Sequence, residues 1–442
     1  MLSQSLWKIY SESSGLPAFW DLLDRHNTLN PQEAKSEMGR LLQRQVRYFA
    51  RRSDSLPEWK EAAAIDDLDE FMRVWEQLPV LTRSDLNSHF PAREIADRFH
   101  LRGKVSSTGG STGEPTHYFH DSNMLKATSA TRMYSRIQAG WKAGLPTIAV
   151  WGSERDVGKA STLRNRISSR LRNEYLVAGY SLSAKTTDQV IRHIGKHKHV
   201  ALYGFTSMLE FIAKDIVQRG INVPAGKVVA AWNGGEMLHP EQAKIFQLAF
   251  GIPLLNFYGS RELSAMAYQP RSCSYLKPLR PLLYLEILNS KGKTASYGEP
   301  GRLIWTSTVC QGTPFLRYDC GDIASFDRPD VDESGIRRIT NIHGRSAGLM
   351  HLNGKLISGL FWNHLFKDYP EVEQFQVVLR SDTAIEVRIK GKPMSCNGEA
   401  TMRSVLKGMA GDTNINLKWV AHIERSRQGK LEQVIREPLA HS

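Results

Sequence analysis

The sequence predicts an α/β protein: a large multi-layer N-terminal region with parallel-type sheets and a small β subdomain, followed by a small α+β C-terminal unit. Three observations predict it. From about residue 100, short apolar runs that mostly end in Gly alternate with longer helical windows, the pattern of parallel strands joined by crossover helices. Residues 283–343 change to strand-like runs separated by turns. The last hundred residues hold strands with one or two helices. The chain has 442 residues, room for roughly two to four domains.

The elements follow in order. Residues 1–100 read as helical. In GRLLQRQVRYFARR, Leu42, Val46 and Phe49 recur at helical spacing, while Arg44, Arg47 and Arg51 line another face. Such a face touches nucleic acid or lipid, or is a solvated face over a packed apolar stripe, the ordinary role of a charge run. TIAVWG (147–152), HVALYGF (199–205), KVVAAWNGG (227–235) and PLLNFYG (253–259) read as buried strands. The windows SMLEFIAKDIVQRG and PEQAKIFQLAFG have helical periodicity and stop at Gly. Ligands collect at the carboxyl ends of parallel strands, so these Gly-rich endings are candidate parts of one site. LYLEILN, GRLIWTSTV, FLRYDCGDIASF and GIRRITNIHG predict a smaller antiparallel layer or barrel. FQVVLRS, AIEVRIKG, a helical TMRSVLKGMA and NLKWVAHIE make the terminal α+β unit.

Composition sets the class. Apolar residues are 41% and charged residues 23%, which excludes bulk disorder. Mean hydropathy is −0.37 and no apolar run reaches about 18 residues, so no membrane span is expected. The N-terminus lacks a basic region followed by an apolar run, so no signal peptide is expected. Four cysteines without a CxxC pair point to a reducing cytoplasm. They have no tight ligand spacing, and no structural zinc is expected. The 58 Lys+Arg against 45 Asp+Glu leave +13, a balance suited to anionic partners such as nucleotides.

The sharpest motif is Ser106-Ser107-Thr108-Gly109-Gly110-Ser111-Thr112-Gly113-Glu114-Pro115-Thr116. Glycines let backbone approach a ligand closely, and their N–H groups with hydroxyl donors cradle phosphate oxygens. It lacks the Lys of a Walker loop. Further along stand Tyr258-Gly259-Ser260-Arg261-Glu262, Arg317-Tyr318-Asp319-Cys320-Gly321-Asp322, Gly344-Arg345-Ser346 and Arg427-Gln428-Gly429-Lys430.

In this order the motifs resemble those of the adenylate-forming superfamily, the acyl- and aryl-coenzyme A ligases. LPVLTRSDL (78–86), NGGEML (233–238) and LNGKLISGLFW are similar to the phenylacetate–coenzyme A ligase and capsule-biosynthesis (CapK-like) branch. The likeness covers about residues 40–437. It implies an ATP- and acid-binding domain over 1–343 and a mobile lid over 344–442. It implies ATP/AMP contacts by Ser107, Thr108, Gly109, Gly110, Ser111, Thr112, Gly113, Gly235, Glu236, Tyr258, Gly259, Ser260, Asp322 and Arg345. Tyr258 would stack on adenine, Asp322 would accept the ribose hydroxyls, and Glu262 would hold Mg²⁺. Lys430 would bridge the acid and the α-phosphate, making Lys430, Glu262 and Arg345 the catalytic set. Four positions depart from the pattern: Thr116 for the loop Lys, Arg261 for Thr, and Ala347 and Gly348 for the hinge acids.

Trp151, Phe205, Trp232 and Asn233 line an acid pocket or belong to the core. The basic segment 155–173 grips coenzyme A phosphates or an acidic carrier, or is solvated. The implied activity converts a carboxylic acid to an acyl-adenylate and passes it to a thiol of coenzyme A or a phosphopantetheine carrier protein. AMP transfer to a hydroxyl, amide formation, and a degenerate nucleotide-binding protein of a polysaccharide cluster are the alternatives. Nucleic acid is not an expected partner; oligomeric state stays open, a dimer included.

Overall fold

The structure is a computed structural model. It describes residues 16–53, 57–107, 116–151, 173–178, 183–326, 337–345, 349–352, 355–358, 362, 366, 369, 371–410, 413–423 and 434–436.

Six helices come first: α1 (Leu16–Thr28), α2 (Pro31–Ala50), α3 (Pro57–Ala63), α4 (Leu68–Trp75), α5 (Arg83–His89) and α6 (Ala92–Arg98). The longest, α2, starts at a full capping box. Asn30 accepts from the Glu33 N–H at 3.0 Å and Glu33 accepts from the Asn30 N–H at 3.1 Å. Ala34, Met38, Leu42, Val46 and Phe49 form its buried stripe. Each large apolar side chain there contributes about 1.5–3 kcal/mol on burial.

The hairpin of β1 (Gly103–Ser107) and β2 (His117–Asp121) follows, then α7 (Ser122–Gln138). Asp121 ends the strand and starts the helix. Its carboxylate accepts from Asn123 and Met124 of the first turn, and from the Gln311 and Gly312 N–H groups at 2.6 and 3.1 Å.

A parallel sheet comes next: β3 (Thr147–Trp151), β4 (Glu174–Ala178), α8 (Ala184–Lys196), β5 (Val200–Gly204), α9 (Thr206–Gln218), β6 (Val228–Asn233) and α10 (Pro240–Phe250). The order is β4-β3-β5-β6, all parallel. Gly251 at φ 73° closes α10 in the left-handed region. Ile148, Val150, Val200, Leu202 and Val228 pack against the three helices.

One expectation changes here. PLLNFYG is not a fourth parallel strand; that place belongs to β4. Leu255 joins the sheet only as a single parallel bridge to Trp232. The chain then leaves it, because Phe257–Ser260 pairs antiparallel with the strand after the Arg261–Glu262 turn. That second sheet consists of β7 (Phe257–Ser260), β8 (Ser264–Tyr268) and β9 (Lys277–Pro278).

The smaller layer is an open meander: β10 (Leu283–Leu288), β11 (Gly301–Ser307), β12 (Tyr318–Phe326) and β13 (Ile339–Arg345). It shares a core with α2–α6 through Phe49, Trp75, Leu81, Trp305 and Tyr318. A buried ion pair pins the two together. Arg317 reaches Glu286 from Nε and Nη2 at 3.2 and 3.0 Å, and donates from Nη1 to the carbonyls of Glu76 and Leu78.

After the hairpin β14 (Leu349–Leu352) and β15 (Lys355–Ser358) come β16 (Val372–Ser381), β17 (Ala384–Gly391), α11 (Cys396–Ala410), β18 (Asn414–Trp419) and β19 (Val434–Arg436). The sheet order is β18-β17-β16-β19. Its core, including Leu352, Trp362, Val377, Val387 and Leu406, uses only residues from this end of the chain. Among the described residues, no helix is long and apolar enough to cross a membrane.

Candidate functional site

The register of the first hairpin pairs Ser107 with His117, so the Ser/Gly-rich stretch is the connection between β1 and β2. Ser107 is the exposed last residue of β1. Thr108, Gly109, Gly110, Ser111, Thr112 and Gly113 lie outside the described residues, as do Lys430, Ala347, Gly348 and the basic segment 155–172.

The hairpin is tied to the Tyr258–Glu262 motif by side chains of β2. Tyr118 donates its hydroxyl to the Arg261 carbonyl at 2.8 Å. His120 Nε2 donates to the Glu262 carbonyl at 2.6 Å. The bond to a carbonyl fixes the Nε2–H tautomer, because a carbonyl only accepts. Burial holds the His120 pKa below its ordinary value, the Glu262 bond working against it. Burial, with the Glu262 charge nearby, pushes the Tyr118 hydroxyl up to about 12.

Glu262 is 3% exposed. Its Oε1 accepts from the Tyr318 hydroxyl at 3.1 Å and stands 3.9 Å from Arg83 Nη2. Oε2 has no hydrogen-bond partner among the described residues. Arg83 also donates to the Cys320 carbonyl at 3.1 Å, so one guanidinium from α5 spans the acidic residue of β7–β8 and the backbone of β12. The backbone carries α5 to this place: Leu81 N–H donates to Arg317 O at 3.0 Å and Asp319 N–H to Leu81 O at 2.9 Å.

Tyr258 donates its hydroxyl to Asp322 Oδ2 at 2.6 Å and lies 3.3 Å from Cys320 Sγ. Its ring runs roughly parallel to Trp305, 6.2 Å away. Burial, then the neighbouring Cys320 and the Asp322 carboxylate, push its pKa well above the usual phenol value. Burial also pushes the Cys320 thiol up, which leaves it un-ionised and suited to packing rather than nucleophilic work. In the ladder between β12 and β13, Asp322 stands opposite Arg345. Gly259 sits where an added Cβ would meet the Ser264 carbonyl at 2.1 Å, and Ser260 Oγ accepts from Leu263 N–H.

A second group forms at the ends of the parallel strands. Phe205 and Trp151 stack at 4.0 Å, Trp151 and Tyr203 at 5.1 Å, Tyr203 and Trp232 at 5.7 Å, and Trp232 and Phe257 at 5.9 Å. Arg136 caps this row over Tyr203 and Trp232. Trp151, Tyr203 and Phe205 are half-buried; Trp232 and Asn233 are buried behind them. All of Asn233's side chain is spent internally, on Thr206 Oγ1, Glu236 O and Phe257 N–H. These bonds tie the strand end to α9 and to Phe257. Glu236 caps α9 through the Ser207 N–H and hydroxyl, at 2.7 and 3.0 Å. Gly235 at φ 73° lies so close to the Phe205 ring that a Cβ would meet it at 2.7 Å.

Tyr258, Glu262 and Asp322 thus share one neighbourhood with the base of the Ser/Gly hairpin. Sequence reasoning missed four members of it: Tyr118, His120, Arg83 and Tyr318. A signal existed for α5, since Thr82 through Asp85 is a capping box. Nothing local announces that Arg83 reaches a strand more than two hundred residues away. Among the described residues no three His, Cys, Asp or Glu side chains are grouped to hold a metal by themselves.

Comparison with known proteins follows from this geometry. No family model matches the chain. It is 23% identical over 254 residues to the protein CapK of Staphylococcus aureus, covering 56% of this chain and 53% of that protein. The chain therefore spans about half the length of the curated relative it matches. The structure is similar to an open conformation of 2-hydroxyisobutyryl-CoA ligase in complex with 2-HIB-AMP and CoA, with TM-score 0.61, 15% identity and 94% of each chain covered. It is also similar to ATP-bound MatB from Rhodopseudomonas palustris, with TM-score 0.51, 14% identity, and 74% of this chain and 66% of that one covered. The likeness is one of fold.

Proposed function

We propose that this chain, which has the fold of the adenylate-forming ligases, activates a carboxylic acid with ATP and transfers the acyl group to a thiol. The observation that carries the reading is the joining of three motifs. Tyr258 holds Asp322 at 2.6 Å, Tyr318 holds Glu262 at 3.1 Å, and His120 ties the Glu262 backbone to the hairpin of the Ser/Gly loop.

Each residue has a task in the reading. The loop of residues 108–113 cradles phosphates through backbone N–H groups. Asp322 accepts from the ribose hydroxyls; with Tyr258 on Oδ2, its orientation is set before nucleotide arrives. The carboxylate of the acid attacks the α-phosphorus and pyrophosphate leaves, giving an acyl-adenylate. The thiol sulfur of coenzyme A, or of a carrier protein's phosphopantetheine arm, then attacks the acyl carbon and AMP leaves. The protein contributes positioning and charge neutralisation. Lys430, on a lid of residues 344–442 that pivots beside Arg345, brings a positive charge to the α-phosphate.

Glu262 fits Mg²⁺: the ion favours one or two carboxylates plus phosphate oxygens, and this carboxylate has one oxygen anchored by Tyr318 and one without a partner among the described residues. The ion supplies charge neutralisation on the triphosphate. The half-buried face of Trp151, Tyr203 and Phe205 suits the apolar part of the acid. ATP and coenzyme A are cytoplasmic metabolites and free cysteines are found at 273, 310 and 320; we place the reaction in the cytoplasm.

The test is acid-dependent exchange of pyrophosphate into ATP across a panel of carboxylic acids. Exchange with an acid supports the reading, and Lys430→Ala then lowers it by roughly 10²–10³-fold with ATP affinity unchanged. ATP binding without exchange by any acid, or exchange that needs an alcohol instead, overturns it.

A further inference from the structure

We propose that α2 carries a second anion site, a pocket lined by arginines that binds a short phosphate chain. Arg40, Arg44, Arg47 and Arg51 recur at intervals of four, three and four residues, so they fall on one stripe of the helix. With Arg52 and Tyr48 they line a cavity of about 460 Å³. That volume is in the range of small-ligand pockets.

Three of the guanidiniums are held in place mainly by groups that carry no charge. Arg44 donates to the Thr308 carbonyl at 3.3 Å. Arg47 donates to the carbonyls of Ala63 and Ile65 at 3.1 and 2.9 Å. Arg52 lies 3.9 Å over the Tyr48 ring and donates to the Tyr48 carbonyl. Carbonyls and a ring orient a guanidinium but leave its positive charge. The acid in contact, Asp66 on Arg47, is 96% exposed and weakly effective in water. Arg40 and Arg51 are exposed and have no acidic partner among the described residues. Among the described residues, no acidic side chain lines the cavity.

The ligand class follows from this donor set. The forks of Arg40 and Arg51, with the donors that Arg44 and Arg52 keep beyond their carbonyl bonds, exceed what one carboxylate can accept. Several phosphates in a row supply the oxygens. A nucleic acid strand needs a track with several stacking surfaces, whereas these arginines line one open concavity whose single aromatic side chain, Tyr48, is already covered by Arg52. None of the lining residues belongs to the nucleotide site described above, so the inference stands apart from the proposed reaction.

The experiment is calorimetric titration of the full-length chain with inorganic tripolyphosphate, in a saturating non-hydrolysable ATP analogue that occupies the nucleotide site. The wild type is expected to show saturable binding at one site. Arg40→Ala/Arg51→Ala should weaken it at least 10-fold, and Arg44→Ala should weaken it measurably, with thermal unfolding unchanged for the exposed pair. A parallel titration with a nucleoside diphosphate separates the sources: tighter binding assigns a nucleotide, equal or weaker binding a free phosphate chain. Unchanged affinity in Arg40→Ala/Arg51→Ala overturns the proposal. So does non-saturable binding that vanishes at physiological salt, or displacement by an acidic peptide at lower concentration than by tripolyphosphate. If the ligase reading fails, the arginine variants still lose binding.

Discussion

Glu286→Gln removes one charge from the buried clamp between the N-terminal helices and the meander sheet. Glu286 and Arg317 are 8% and 2% exposed. The carboxylate accepts from Arg317 Nε and Nη2 and from Trp75 Nε1, at 3.2, 3.0 and 3.2 Å. Burial raises the Glu286 pKa, while Arg317 and Trp75 pull it down. Gln keeps the shape but turns an NH₂ toward donors and leaves the guanidinium buried without a counter-charge. Breaking a buried pair in this way costs about 3–5 kcal/mol, roughly a 10²- to 10⁴-fold change in the folded-to-unfolded ratio. Such a loss is a large share of a typical stability of about 5–15 kcal/mol. Urea unfolding followed by tryptophan fluorescence measures it, with Trp75 as a reporter in the clamp. The companion Glu286→Leu/Arg317→Met removes both charges and should recover most of the loss, since apolar replacement of a whole buried pair is often neutral. A cost below about 1 kcal/mol for Glu286→Gln, or strict additivity in the double-mutant cycle, would refute the clamp.

Three further outcomes are expected. Tyr258→Phe takes away the donor on Asp322 Oδ2, a bond to a charged group worth about 1.5–3 kcal/mol; ATP-analogue affinity should fall about 10-fold or more by calorimetry, and unchanged affinity would detach Asp322 from the ribose. Gly235→Ala combines a left-handed backbone, costing about 1–2 kcal/mol, with a Cβ 2.7 Å from Phe205; the melting temperature should drop and the KM for the acid should rise more than the KM for ATP. His120 is held neutral when folded, below its ordinary 6.5, so the unfolded chain binds more protons as pH falls. Its contribution is present above about pH 6.5 and lost as pH falls through the folded pKa; urea midpoints between pH 7 and 5 should fall less steeply for His120→Gln than for the wild type.

Much of this molecule could be read from its residues in order. The capping box of α2, the Gly251 stop of α10 and the apolar runs of β3, β5 and β6 are local signals. Their physics acts over a few residues, so the alternation of strand and helix, and with it the fold class, follows from the sequence alone. The motifs around Tyr258, Glu262 and Asp322 were equally visible as strings. Tertiary structure decided which residues complete them. It split PLLNFYG between two sheets, because strand pairing depends on partners far along the chain. It turned Asn233 inward, brought Arg83 across to Glu262 and Cys320, and buried Arg317 against Glu286. A hydrogen bond between residues two hundred positions apart leaves no periodic trace in either segment. Only the packing of the whole chain brings such donors and acceptors within 3 Å or so of each other.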